Sequence, residues 1–327
     1  MQRSMPESPI LAVDLGGTKI ATALVSTSGQ ILEQLLTPTL ADEGPEAAVG
    51  RMIAAIKTTL SESQVSSPAF STIALASAGI IDVPKGIVTA SPSFPGWCDV
   101  PIREIVERET GLACFLINDA TAAVAAEHRL GAGKGLKNLL YVTVSTGIGG
   151  GIIVDGQIYS GSLGCAGEIG HMTIDPDGPP CNCGSFGCLE TLASGRAVAR
   201  EAQKRIARGA RSLVLEFVEG EPHNITAKAV AEAAKAGDAL ALEIISQAAT
   251  YLGIGMANLV NIFNPEMIVI GGGLSKMGDM LFNPVRRTVA DRAFRLPAQS
   301  VRIVPSQLGD EVGLLGAAVS LMMSKGL

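Results

Sequence analysis

Basic residues are the first shortage: 25 Lys and Arg against 31 Asp and Glu leave a net charge of −6, and no Lys/Arg cluster overrides that average. The balance argues against a nucleic-acid partner and points to small molecules, with a metal to offset any phosphate. No apolar run approaches the length of a membrane span, and the first nine residues lack the basic-then-apolar layout of a signal peptide. Aromatic residues are scarce, at 4%, whereas Gly is abundant, at 38 positions, which suits α/β architecture with tight, backbone-lined loops. Disulfides are not expected either. Three of the six Cys crowd into Cys181, Cys183 and Cys188, so close that pairing would be strained while a metal would be suited, and a reducing cytoplasm is the expected compartment.

What the chain does have is 47% hydrophobic and 17% charged residues over 327 positions, the balance of a compact globule long enough for two lobes. Strands are expected at 10–14, 20–25 and 31–36, an antiparallel meander whose first turn carries Gly16, Gly17 and Thr18. Helical spacing covers 45–60 and 101–110, and apolar strands fall at 73–76 and 114–117. A helix at 121–130 is closed by Gly131. A second meander occupies 139–144, 152–154 and 157–159, with its glycine turn at 146–151, so the two halves read as a divergent duplication. Helices follow at 193–207, 227–236 and 239–263. A strand at 267–270 then runs into Gly271, Gly272 and Gly273, before a strand at 301–305 and an apolar closing helix at 313–323. The expected division is a small α/β lobe of residues 1–119 plus 310–327 and a large α/β lobe of residues 120–309.

Asp14-Leu15-Gly16-Gly17-Thr18-Lys19 joins two strands. Glycines there let backbone N–H groups approach a phosphate, and the preceding carboxylate can hold Mg²⁺ through water. The order Gly-Gly-Thr-Lys is not that of a P-loop. Ser145-Thr146-Gly147-Ile148-Gly149-Gly150-Gly151 is the second such turn. A dinucleotide fingerprint would need Gly where Ile152 stands, and a helix after it where a strand is expected, so that reading fails. Two strand–glycine–strand turns make a natural cradle for a triphosphate. Asn118-Asp119, at the end of an apolar strand, reads either as a helix N-cap or as a general base with its neighbour.

His171, Cys181, Cys183 and Cys188 are the most specific cluster, three thiols and an imidazole that match a closed, tetrahedral structural zinc site. Glu168 and Glu190 flank it. Paired carboxylates also serve glycosidases, but a glycosidase has no use for two phosphate cradles; hydrogen bonds to sugar hydroxyls are the better task.

Together these motifs resemble the ROK family of sugar kinases and repressors, from about residue 10 to the C-terminus. Gly-Glu-Ile-Gly-His from Gly167, followed by Cys-x-Cys-Gly-x-x-Gly-Cys-x-Glu from Cys181, is the family signature. The resemblance implies a duplicated actin-like ATPase (ribonuclease H-like) α/β fold with a cleft between its two lobes. It implies ATP-dependent phosphorylation of a hexose 6-hydroxyl, of glucose first, with N-acetylmannosamine as the rival. It makes Asp119 the catalytic base. Gly79, Ser93, Asn118, Asp119, Glu168, His171 and Glu190 become substrate-binding residues. Asp14, Gly16, Gly17, Thr18 and Lys19, with Thr146, Gly147 and Gly271 to Gly273, fall to Mg-ATP. His171, Cys181, Cys183 and Cys188 hold Zn²⁺. A homodimer or homotetramer in the cytoplasm is implied, with no nucleic-acid or membrane partner. Ser93 departs from the Pro-Asn of many family glucokinases, which bears on the sugar. ROK repressors add an N-terminal helix-turn-helix; with nine residues ahead of the first strand, the enzyme is expected.

Overall fold

The structure, a computed structural model, describes residues 9–63, 71–91, 94 and 96–327. In chain order, β1 (Ile10–Leu15), β2 (Lys19–Val25) and β3 (Ile31–Pro38) form the first meander, followed by α1 (Pro45–Glu62) and β4 (Thr72–Ser77). Three short strands, β5 (Ile80–Asp82), β6 (Ile87–Ala90) and β7 (Cys98–Val100), precede α2 (Ile102–Thr110), β8 (Ala113–Asn118) and α3 (Asp119–Arg129). The second meander is β9 (Leu139–Val144), β10 (Ile148–Val154) and β11 (Gln157–Ile158). Beyond it come α4 (Leu189–Ala193), α5 (Gly195–Ala207), α6 (Ala227–Lys235) and α7 (Ala239–Phe263). The chain then runs through β12 (Met267–Gly271), α8 (Asp279–Arg292), α9 (Arg295–Ser300), β13 (Arg302–Pro305) and α10 (Val312–Ser324).

Among the described residues the strands make two five-stranded sheets, ordered β3-β2-β1-β4-β8 and β11-β10-β9-β12-β13, and a three-stranded β5-β6-β7. The two orders are the same once the strands are matched: a meander, then two strands added parallel to its first. This is the duplicated ribonuclease H-like arrangement of the actin-like ATPase fold. β4 and β12 are buried along nearly their whole length, as central parallel strands covered on both faces must be.

By its contacts the chain forms two compact units, one of Met1–Gly135, Gly151–Gly167 and Gln307–Leu327, the other of Leu136–Gly150 and Glu168–Ser306. In the first unit, strand alternation sorts residues by size. Leu11, Val13 and Leu15 pack with Met52 and Ile56 of α1 and Ile102 and Val106 of α2. Ala12 of β1, with Ala74 and Ala76 of β4, faces Ala122 and Ala126 of α3 and Ala317 and Ala318 of α10. Small residues let these helices close up: a Cβ at Gly316 would lie 2.2 Å from the Ala122 carbonyl oxygen. That packing puts α3 in the first unit, past the expected boundary at residue 119. Buried Glu127 closes its end, accepting the N–H groups of Ala132, Gln307 and Leu308 at 2.8–3.1 Å.

Other differences from the sequence reading have local causes. The second glycine turn is shorter than expected, because β10 already starts at Ile148. The helix expected at 193–207 starts at Gly195, where the Ser194 hydroxyl caps α5 at the Ala197 N–H, and the short α4 ahead of it was not expected. The β5-β6-β7 sheet has strands of three and four residues, too short to show a period. α8 carries Pro284 inside it, which masks its helical pattern. α7 is long and apolar enough to cross a membrane by length and composition alone, contrary to the expectation. Ile244, Leu252, Met256 and Val260 of α7 are nonetheless buried inside the second unit.

Candidate active site

In the first unit the parallel strands β1, β4 and β8 end at one edge: Leu15 lies beside Ser77, and Ser77 beside Asn118. The first glycine turn leaves that edge. Gly16 N–H donates to the Lys19 carbonyl at 3.0 Å, and Thr39 braces the turn from outside, its hydroxyl on the Gly16 carbonyl (2.6 Å) and its N–H on that of Thr18 (3.0 Å). Asp14 shares the Ala12 face of β1 and lies against α10, where a Cβ at Gly313 would be 2.5 Å from its Oδ2. Burial pushes its carboxyl up to about 6, with Lys19 pulling the other way.

At the same edge Gly79 has φ 116°, and an added Cβ would lie 2.6 Å from the Ala90 carbonyl oxygen, so the loop admits only Gly. Its carbonyl accepts the Asn118 side-chain amide at 3.1 Å. Asn118 Oδ1 accepts the N–H groups of Ala120 (2.9 Å) and Thr121 (3.1 Å) and is the N-cap of α3. Asp119 is the first helical residue, one oxygen 2.8 Å from the Ala120 N–H. Of the two tasks read for the pair, capping falls to Asn118.

In the second unit the turn at 145–147 carries exposed Ser145 and Thr146. The first two N–H groups of α5, unpaired within the helix, hold it: Gly195 donates to Ser145 O (2.7 Å) and Arg196 to Thr146 O (3.4 Å). Glu190 supports the other side, its Oε2 accepting the Ile148 N–H at 3.0 Å. A Cβ at Gly147 would sit 2.2 Å from that oxygen, so this glycine is needed for the carboxylate's approach. Glu190 Oε1 lies 3.2 Å from Arg196 Nη2. Gly271 and Gly272 end β12 against β9, with added Cβ atoms 2.0 Å from Tyr141 Oη and 2.5 Å from Val144 O, whereas Gly273 faces open space.

Cys181, Cys183, Cys188 and His171 bring one ligand atom each within 4.8 Å of one another. The loop is built by backbone bonds: Cys181 N–H to Ser185 O, Gly184 N–H to Cys181 O, and Gly187 N–H to Pro179 O. Gly187, at φ 58°, passes so close to Asp175 that a Cβ would lie 1.5 Å from its carbonyl oxygen. Cys183 and Cys188 Sγ are 3.7 Å apart, and Cys181 Sγ is 3.5 Å from His171 Nδ1. A tetrahedron with metal–sulfur bonds of about 2.3 Å has edges of about 3.8 Å, so the donor set fits a four-coordinate metal. The other ring nitrogen of His171 lies 3.9 Å from Glu168. Partial burial pushes the Glu168 carboxyl up; His171 pulls it down, and Glu190 pushes it up again.

Thus the first unit gathers Asp14, Gly16 to Lys19, Gly79, Asn118 and Asp119 at one sheet edge. The second gathers Thr146, Gly147, Glu168, His171, Glu190 and the cysteines. Ser93 lies outside the described residues. Arg196 and Gly195 were missed by sequence reasoning; the only local signal was Ser-Gly ahead of a helical pattern.

Residues 10–323 match the model of the ROK family. The chain is 38% identical to a glucokinase of Thermotoga maritima, covering 96% of this chain and 97% of that one. It is 39% identical to a glucokinase of Halalkalibacterium halodurans, over 94% and 92%. Among solved structures, a ROK family glucokinase from Streptomyces griseus in complex with glucose and AMPPNP superposes with a TM-score of 0.82 at 34% identity, over 95% and 98%.

Proposed function

This chain belongs to the ROK family, and on that premise we propose that it is an ATP-dependent hexose kinase that phosphorylates the 6-hydroxyl, with glucose as its preferred substrate. The observation that carries the reading is the end-to-end similarity to glucokinases, one of them holding glucose and an ATP analogue.

In this mechanism Asp119 accepts the proton of the 6-hydroxyl as that oxygen attacks the γ-phosphorus. The new O6–P bond forms as the bond to the β,γ-bridging oxygen breaks, and ADP leaves. Asn118, held on Gly79, orients the sugar beside the base. Glu168, His171 and Glu190 accept or donate hydrogen bonds to the ring hydroxyls, which fixes the reacting oxygen in line. The turn of Gly16, whose own N–H is taken by the Lys19 carbonyl, offers the N–H groups of Gly17 and Thr18 to the phosphates, as the second turn does with Thr146 and Gly147. Lys19 is a nearby charge, and the adenosine is assigned to Gly271 to Gly273, of which Gly273 faces open space. Most of the rate enhancement is positioning and charge stabilisation. Asp14 is the carboxylate placed to hold Mg²⁺ through water, and the ion neutralises phosphate charge when bound. On this reading the lobe of the first glycine turn carries the sugar loop, and the other carries the second turn, the metal loop and the adenosine site.

The donor set of His171, Cys181, Cys183 and Cys188 is assigned to a structural Zn²⁺. With Nδ1 of His171 turned to the thiols, its Nε2 is left for the sugar side. Cys183→Ser is expected to lower zinc content and melting temperature and to raise KM for the sugar, because His171 and Glu190 sit at the two ends of the loop. Elemental analysis of chelator-free protein checks this; full activity without zinc would contradict it. Six free cysteines suit a reducing cytoplasm, and we assign the protein there as a homodimer or homotetramer.

The sugar is tested by comparing kcat/KM for glucose, mannose, N-acetylglucosamine and N-acetylmannosamine under one Mg-ATP concentration. Glucose is expected to lead. A tenfold lead for N-acetylmannosamine, about 1.4 kcal/mol of transition-state preference, would move the assignment to that sugar and implicate Ser93, whose side chain is smaller than the Asn of many family glucokinases.

A further inference from the structure

Glu190 sits between two tasks. Its chain position, two residues past Cys188, ties it to the metal loop and to the sugar. Yet its Oε2 is spent on the Ile148 N–H, directly after the second glycine turn. Its Oε1 lies 3.2 Å from Arg196 Nη2, and its side chain is only 13% exposed. A carboxylate has about four acceptor positions; these two bonds leave two for sugar hydroxyls. Arg196 is placed where a cation is least favoured, in the first turn of α5, at the positive end of the helix dipole. Something must offset that cost, and the Glu190 contact does. The same residue's N–H reaches the Thr146 carbonyl, and its Nη2 lies 3.8 Å from where a Gly147 Cβ would stand. Arg196 therefore touches the turn by its backbone and Glu190 by its guanidinium.

Resting on the kinase reading, we propose that Arg196 is a positioning residue that holds Glu190 at once against the second glycine turn and toward the hexose, so that one ion pair couples sugar affinity to nucleotide affinity. Removing the guanidinium frees Glu190 to swing toward water. The sugar loses an oriented acceptor, and the turn loses the partner of its Ile148 N–H.

Steady-state kinetics test this. Arg196→Ala is expected to raise KM for glucose and KM for Mg-ATP together, each by about tenfold, the scale of one partly exposed charge-assisted hydrogen bond, with kcat changed much less. Arg196→Lys should recover part of both, since it restores the charge without the fork. In a Glu190→Gln background, Arg196→Ala should add little to either KM, because its partner is already altered. Calorimetric binding of AMPPNP reads the turn without turnover, and melting curves with zinc content show that each variant is folded. Unchanged KM values in folded Arg196→Ala would overturn the proposal. So would a rise in the Mg-ATP KM that persists at full size in the Glu190→Gln background, which would mean that Arg196 meets the triphosphate directly. Wild-type protein that phosphorylates no hexose would sink the kinase reading instead, a separate outcome.

Discussion

Asp119→Asn is expected to lower kcat by at least about 10²-fold while hexose binding is retained, the scale of a lost general base. The substitution keeps the shape and the contact to the Ala120 N–H but removes the proton acceptor. The structure makes the experiment clean, because the cap of α3 is Asn118, with bonds to Ala120 and Thr121. The cap bonds of Asn118 are untouched by the substitution, and the variant's melting temperature should stay close to that of the parent. Turnover and sugar binding by calorimetry are the two readouts. Near-normal turnover would remove Asp119 from the role of base.

The second large effect is expected at Asp14, in opposite directions for activity and stability. Asp14→Asn should reduce kcat/KM for Mg-ATP by about 10²-fold or more, since an amide cannot replace a carboxylate in holding the cation near the phosphates. The same change should stabilise the protein alone at pH 7.5. Burial raises the Asp14 carboxyl from 3.8 to about 6 in the folded state, so an ionised Asp14 opposes folding. That cost, roughly 3 kcal/mol from a shift of about two units, is fully present above pH 6 and disappears as the pH falls from 6 toward 3.8. Thermal melts at pH 7.5 and pH 4 check it: Asn should melt higher at the first and level with the parent at the second. In the parent, kcat/KM for Mg-ATP should fall as the pH drops through about 6, and this acid limb should be missing in the Asn variant. An Asn variant less stable than the parent at pH 7.5 would show that the carboxylate is structural instead.

Much of this was legible in the sequence because it is local. Asp14 to Lys19 announces itself by glycines between two apolar runs, and the cysteine loop by the density of thiols over eight positions, 181–188. The repeated meander could be read from turn residues and alternation, and both sheets have the matching strand order. What could not be read is long-range. Glu190 meets Ile148 across 42 positions, and nothing near either residue says so. Gly149, Gly150 and Gly151 looked like turn but belong to β10; Gly151 is small because α3 lies against it, a Cβ there falling 2.4 Å from Ala120 O. Such a glycine records the approach of another element rather than a bend of its own chain. The size sorting on the two faces of β1 is of the same kind: Ala12 and Asp14 are explained only once α10 is known to close on them.

The central claim is transfer of the γ-phosphoryl group of ATP to the 6-hydroxyl of a hexose, and product identification in matched incubations tests it most directly. With glucose and Mg-ATP, the account predicts ADP and glucose 6-phosphate in equal amounts by phosphorus NMR. With 6-deoxyglucose, which binds through the same ring hydroxyls but lacks the acceptor oxygen, it predicts neither product above the sugar-free control. Phosphate on another hydroxyl, or ADP released at the same rate whether or not a 6-hydroxyl is present, would contradict it.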